Sequence, residues 1–210
     1  MNRYENMSDK DLIDTYVPDV YQKDIYAINY YQLKSAGIKL ISFDIDDTIA
    51  KFEELTPPKN TVILFEKLKN IGFVLVLLSN TVMISRAEHF ADKLGVDYIA
   101  HAHKPRSLSF AECQTRYFKK YGVILKKEQM AHVGNSLLND VAGGNVFGIT
   151  TCLVRRAGTV AKPFHLHDEA HKLRRVLKQR HIWRKHHENQ RHDQYYQLQD
   201  TVLLQQKGWL

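Results

Sequence analysis

The sequence predicts an α/β fold: a doubly wound, mostly parallel, five-stranded Rossmann-like sheet with no cap domain, followed by a basic C-terminal helical tail. Three observations predict it. Short apolar runs, among them Lys39–Phe43, Phe73–Leu78 and Met130–Val133, have the unbroken hydrophobicity of strands covered on both faces. Segments with helical spacing alternate with these runs, an order that parallel sheets with right-handed crossovers require. Polar residues unsuited to a core gather just after the strands, where ligands bind in such sheets.

Ser8 is a predicted N-cap for a short helix to about Tyr16, with Asp9 and Asp11 in the first turn, where carboxylates suit the helix dipole. A second helix is expected over Asp24–Ser35, stopping at Gly37, with Ile25, Ile28, Tyr31 and Leu33 packed on the sheet. The strand Lys39–Phe43 follows, then an acidic loop. Pro57-Pro58 opens a helix to about Asn70, with Val62, Phe65 and Leu68 on its buried face. Gly72 ends it, and the strand Phe73–Leu78 closes on Ser79-Asn80-Thr81. A helix over Ser85–Leu94 is capped by Gly95, and the strand Asp97–His101 leads to His103-Lys104-Pro105. The helix Leu108–Tyr121 precedes Gly122. Met130–Val133, the turn Gly134-Asn135-Ser136, a helix over Leu137–Phe147 and the strand Ile149–Val154 complete the pattern. The chain thus divides into a helical lead-in (1–37), a core (38–156) and a C-terminal extension (157–210).

A chain of 210 residues, 44% hydrophobic and 25% charged, suffices for one well-buried α/β domain with an appendage. No run approaches the roughly 18–20 apolar residues of a membrane span, and the N-terminus has no apolar signal core, so a cytoplasmic protein is expected. Cys113 and Cys152 lack CxxC spacing and read as thiols. The net charge of +7 lies in one place: residues 155–210 hold 12 Lys+Arg against 5 Asp+Glu, leaving 18 against 18 in the rest.

The chemistry is concentrated at Asp44, Asp46 and Asp47, three carboxylates in four positions at a strand end. Their mutual repulsion costs stability unless a cation or a phosphate-handling reaction uses them. Ser79, Lys104, Asn135 and Asp140 fall at three further strand ends, so four ends converge on one crevice.

DIDDT at Asp44–Thr48, Ser79 in LLSN, Lys104 in HKP and GNSLLND at Gly134–Asp140 together resemble the four motifs of the haloacid dehalogenase (HAD) superfamily of phosphatases. More closely they are similar to its capless IIIA group and the YqeG-like, phosphatidylglycerophosphate phosphatase-like branch, over about residues 16–156. The resemblance implies that Asp44 is the nucleophile and Asp46 the acid/base. It implies that Ser79, Asn80 and Lys104 hold the phosphoryl group, Lys104 also compensating charge in catalysis. It further implies that Mg²⁺ is bound by Asp44, the carbonyl of Asp46 and the fourth motif, here Asn135 with Asp140. Relatives usually carry Asp at the position of Asn135, so a neutral amide replaces a charged ligand.

The gaps between motifs leave no room for a cap domain, and an open crevice suits a bulky phosphorylated substrate: a phospholipid, a nucleotide or nucleic-acid end, or a phosphoprotein. Phosphatidylglycerophosphate leads by resemblance, and a weakened, non-catalytic HAD-like binding protein is the rival from another class. Lys172–Arg191 fits a basic amphipathic helix that suits an anionic membrane surface or another polyanion, placing the protein at the membrane periphery, and fits equally a solvated helix docked by Leu173, Val176 and Leu177.

Overall fold

The computed structural model describes residues 2–155, 157 and 164–182. The first helix, α1 (Asp9–Tyr16), starts where expected, with the Ser8 side chain accepting from the Asp11 backbone N–H. Next comes a strand too short to read from sequence, β1 (Val20–Gln22). The helix expected over Asp24–Ser35 is two pieces, a 3₁₀ turn at Ile25–Ala27 and α2 (Tyr30–Ser35). Asp24 caps the turn and Asn29 caps α2, so two local side-chain bonds with an extended Ile28 between them displace one continuous helix.

Five more strands and four helices build the rest of the sheet unit: β2 (Leu40–Phe43), α3 (Lys59–Ile71), β3 (Val74–Leu78), α4 (Ile84–Leu94), β4 (Asp97–Ile99), α5 (Leu108–Tyr121), β5 (Met130–Gly134), α6 (Ala142–Phe147) and β6 (Thr150–Val154). Among the described residues the sheet therefore has six strands, where five were expected. It is fully parallel, in the order β1-β6-β5-β2-β3-β4. The extra strand is at the edge, three residues paired with β6 through Val20↔Cys152, and three residues carry too little periodicity to stand out.

Side chains of the central strands alternate between two cores. Ile41, Phe43, Leu75 and Leu77 join Phe65, Leu68, Phe90 and Leu94 of α3 and α4. Leu40, Val76 and Leu78 join Phe110, Cys113 and Phe147 of α5 and α6. Each fully buried Phe or Leu contributes about 1.5–3 kcal/mol, which explains why these runs tolerate no polar residue without a partner. Chain order reverses between β2 and β5, so the crevice lies beyond the carboxyl ends of these neighbours.

The chain forms two compact units, Pro18–Val160, which carries the sheet, and Met1–Val17 with Ala161–Leu210. In the second unit, α7 (Phe164–Gln179) starts earlier than expected for the basic helix. Leu173, Val176 and Leu177 on it are buried, and Arg174, Arg175 and Lys178 are exposed. Arg180 reaches the Met7 and Glu5 carbonyls at 2.7 and 2.6 Å, tying the ends of this unit together. The part of the expected helix at 183–191, and the terminal DTVLLQQKGWL, lie outside the described residues. No helix among the described residues is long and apolar enough to cross a membrane.

Candidate active site

Asp44 follows β2 directly, and its backbone N–H donates to the Val133 carbonyl of β5 at 2.9 Å, so the ladder itself fixes the residue. Its carboxylate meets Lys104 after β4, with Nζ 2.9 Å from Oδ1, and Thr48 donates to Oδ2 at 3.4 Å. Lys104 also lies 2.7 Å from Oδ1 of Asp140. Only 1% of the Lys104 side chain is exposed, so its ammonium has exchanged water for these two carboxylates. Burial alone would lower the Lys104 pKa, but Asp140 and Asp44 outweigh it and the value is raised.

Asp140 is the pivot behind the site. Its Oδ1 accepts from His132 Nε2 at 3.1 Å as well as from Lys104, and its Oδ2 accepts from the Ser136 backbone N–H at 2.8 Å. Burial opposes its ionisation, yet Lys104 and His132 hold it well below the usual carboxylate range. To reach these partners the helix expected over Leu137–Phe147 starts as a π turn, Leu137–Val141, before becoming α6. His132, fully buried, is pushed down by burial and by Lys104. The neutral ring then donates through Nε2, and its Nδ1 accepts from Ser42 at 2.9 Å, a residue paired with it in the sheet register.

Asp46 has a different environment. A quarter of its side chain is exposed, and Oδ1 pairs with Nη1 of Arg86 at 2.6 Å. Burial first and Asp44 second raise its pKa, in spite of the arginine. Arg86 is buried, donates also to the carbonyls of Glu54 (2.8 Å) and Lys51 (3.1 Å), and stacks over Phe90. Asp47 takes a left-handed conformation, and its carboxylate accepts from the Phe52 backbone N–H, an architectural role in the loop.

The remaining expected residues arrive at the same mouth. Ser79, buried at the end of β3, accepts from the Thr81 N–H at 3.2 Å, which leaves its O–H as a donor. The Asn80 side chain clasps the Lys104 backbone, accepting from its N–H (2.7 Å) and donating to its carbonyl (2.9 Å), so this amide positions Lys104. Asn135 donates Nδ2 to the Asp46 carbonyl at 2.7 Å. Asp140, expected as a metal ligand, has both oxygens engaged by protein donors.

Arg86, His132 and Ser42 were not singled out from the sequence. His132 leaves a trace there, a polar residue inside a strand buried on both faces; Arg86 leaves none, because a helical arginine is ordinary until the fold lays it against Asp46. Among the described residues no three His, Cys, Asp or Glu side chains form a metal-binding group. The groups of the expected metal set that remain are the Asp44 carboxylate, the Asp46 carbonyl and the Asn135 amide, the last two 2.7 Å apart through Nδ2.

The family model described as mitochondrial PGP phosphatase matches residues 7–158. The probable phosphatase YqeG of Bacillus subtilis (strain 168) is 31% identical over 139 residues, 66% of this chain and 77% of that protein. Among solved structures, the putative HAD-hydrolase YfnB from Bacillus subtilis, bound to magnesium, is 16% identical over 60% of this chain and 90% of its own, with a TM-score of 0.41. The 3-deoxy-D-manno-octulosonate 8-phosphate phosphatase from Moraxella catarrhalis, in complex with magnesium, phosphate and KDO, is 18% identical over 72% and 92%, with a TM-score of 0.39. By the span of the family match and the identity to YqeG, the chain belongs to the mitochondrial PGP phosphatase family and is a HAD-superfamily phosphatase of the YqeG type.

Proposed function

We propose that the chain is a Mg²⁺-dependent phosphomonoesterase that works through an aspartyl-phosphate and takes phosphatidylglycerophosphate as substrate. The observation that supports the chemistry best is the contrast between two carboxylates on one loop. Asp44 is held 2.9 Å from the buried Lys104 ammonium, whereas Asp46 has a raised pKa, which favours a proton donor.

In this reading an Asp44 oxygen attacks phosphorus, and the ester oxygen leaves with the proton held by Asp46. Asp46, now ionised, takes a proton from the water that attacks the aspartyl-phosphate, and free phosphate and the Asp44 carboxylate are regenerated. Ser79 and the Lys104 ammonium hold phosphoryl oxygens, and Lys104 offsets the charge of the transition state. Asn80 acts through Lys104 by holding its backbone.

The donor set suits a hard cation: a carboxylate, a backbone carbonyl and an amide are all oxygen-bearing groups. Asn135 would present Oδ1 in place of the Nδ2 that faces the Asp46 carbonyl, by a turn of its terminal amide. When bound there, the cation supplies positive charge to the phosphoryl oxygens and to Asp44. Asp140 serves Lys104 and is left out of the coordination.

The lipid substrate is supported by the family match and by a crevice that the fold leaves without a cap domain. The test is phosphate release from phosphatidylglycerophosphate in mixed micelles and from a soluble aryl phosphate, with Mg²⁺, for wild type and Asp44→Asn. The reading expects wild type to hydrolyse both and to prefer the lipid. Equal inactivity of the two proteins on both substrates sinks it.

A further inference from the structure

The basic helix was expected either at an anionic surface or docked by its apolar residues, and Leu173, Val176 and Leu177 of α7 are buried. Exposed apolar side chains occur instead at the crevice mouth. Leu55 is 71% exposed, Val82 78% and Leu108 79%, with Phe52 and Ile84 also exposed beside them. Leu55 and Val82 lie on the loops after β2 and β3, Leu108 opens α5 after β4, and these strands are neighbours in the sheet.

The three loops form one connected rim. Arg86, at the start of α4 next to Val82, holds the Lys51 and Glu54 carbonyls of the first loop. Asn80, just before Val82, holds the backbone of Lys104, four residues before Leu108. Exposed Lys51, Glu53 and Arg106 are interleaved with the apolar residues, and half-buried Glu54 is turned back onto the Lys51 backbone N–H. Leucine and valine at loop tips cost free energy in water, and clusters of them mark an interaction surface. Here the cluster borders, on the β2–β4 side, an opening that a phosphate group must enter. A bilayer that covers this side can supply a lipid substrate from the surface that it meets, with hydrocarbon for the leucines and phosphates for Lys51 and Arg106.

We propose that this rim is a membrane-docking surface, with Leu55, Val82 and Leu108 entering the interface of an anionic bilayer and Lys51 and Arg106 meeting its headgroups. The inference rests on the lipid-phosphate reading above and adds the surface by which the crevice reaches its substrate. Docking holds Asp44 over the headgroup layer, so the substrate need not leave the membrane.

The test uses the full chain with phosphatidylcholine vesicles, with and without phosphatidylglycerol. Replacing Leu55, Val82 and Leu108 together by serine should weaken co-sedimentation with the anionic vesicles by about tenfold or more, while turnover of a soluble aryl phosphate persists. Both native cysteines are buried, so Leu55→Cys can carry an environment-sensitive dye selectively, which keeps the test independent of the triple variant's folding. Its emission should shift to the blue on anionic vesicles, and that of Ile124→Cys, at the opposite end of the sheet, should not. Sedimentation without a shift at Leu55 overturns the proposal and assigns binding to the tail. No response to vesicles overturns it in favour of a protein partner or none. A blue shift in a protein that releases no phosphate from phosphatidylglycerophosphate supports docking and refutes the substrate reading alone.

Discussion

Arg86 stands 2.6 Å from Asp46, and the same buried guanidinium holds the Lys51 and Glu54 carbonyls. One cation therefore links the proposed acid/base to the loop that forms part of the crevice mouth. Arg86 also opposes the rise in the Asp46 pKa caused by burial and by Asp44.

Arg86→Ala should lower kcat roughly a hundredfold, the scale of losing well-placed acid/base catalysis. The pH profile carries the sharper signature. Asp46 must be protonated to donate, so activity falls as pH rises through its pKa. Removing Arg86 raises that pKa further and moves the alkaline limb upward. A reduced rate with an unmoved limb would show that Arg86 only supports the loop.

Lys104→Met should be costly to stability as well as to turnover. It leaves Asp44 and Asp140 in a buried site without their shared cation, at roughly 3–5 kcal/mol. Urea unfolding measures the loss. Adding Asp140→Asn should recover part of it, because one of the two uncompensated charges disappears; a double variant no more stable than Lys104→Met contradicts the assignment of Asp140 as the counter-charge.

Asn135→Asp separates metal affinity from fold. Without metal it replaces an amide that donates at 2.7 Å with a carboxylate facing the Asp46 carbonyl, which should destabilise by roughly 1–3 kcal/mol. With Mg²⁺ the added charge should enlarge the rise in Tm over that of wild type. An identical Mg²⁺ shift in both proteins would remove Asn135 from the metal site.

His132 makes stability fall in mild acid. Its folded pKa lies below its ordinary 6.5, because burial and Lys104 disfavour the imidazolium. The unfolded chain therefore binds the proton first, and the contribution present above 6.5 is lost as pH falls toward the folded value. Denaturant midpoints on either side of that pH should differ for wild type and differ less for His132→Gln.

Gly134→Ala tests the spacing behind the site. A Cβ at Gly134 would overlap the Asp140 carboxylate, so Asp140 or the backbone beside it must shift, at a cost of about 1–3 kcal/mol. Crystallography or a loss of kcat with unchanged KM would register the displacement.

Much of this protein was legible because strand burial and strand-end chemistry are local. The runs LISF and VLVLL have the pattern of strands covered on both faces, and the residues following them inherit the carboxyl ends of a parallel sheet. The same locality explains the misses. β1 is three residues long and exists because β6 offers it a partner, and the split before α2 turns on whether Asp24 and Asn29 bond their own backbone. A five-strand reading was as far as periodicity reached.

By itself, the sequence determined the α/β class and the placement of Asp44, Asp46, Ser79, Lys104 and Asn135 after the strands. Tertiary structure alone decided which partners these residues keep: Arg86 against Asp46, Asn80 around Lys104, and His132 under Asp140. These contacts join residues 8 to 40 positions apart. No periodic pattern encodes them, since each depends on how sheet register and helix packing place a side chain within hydrogen-bond reach, and on the cost of leaving a buried charge without one.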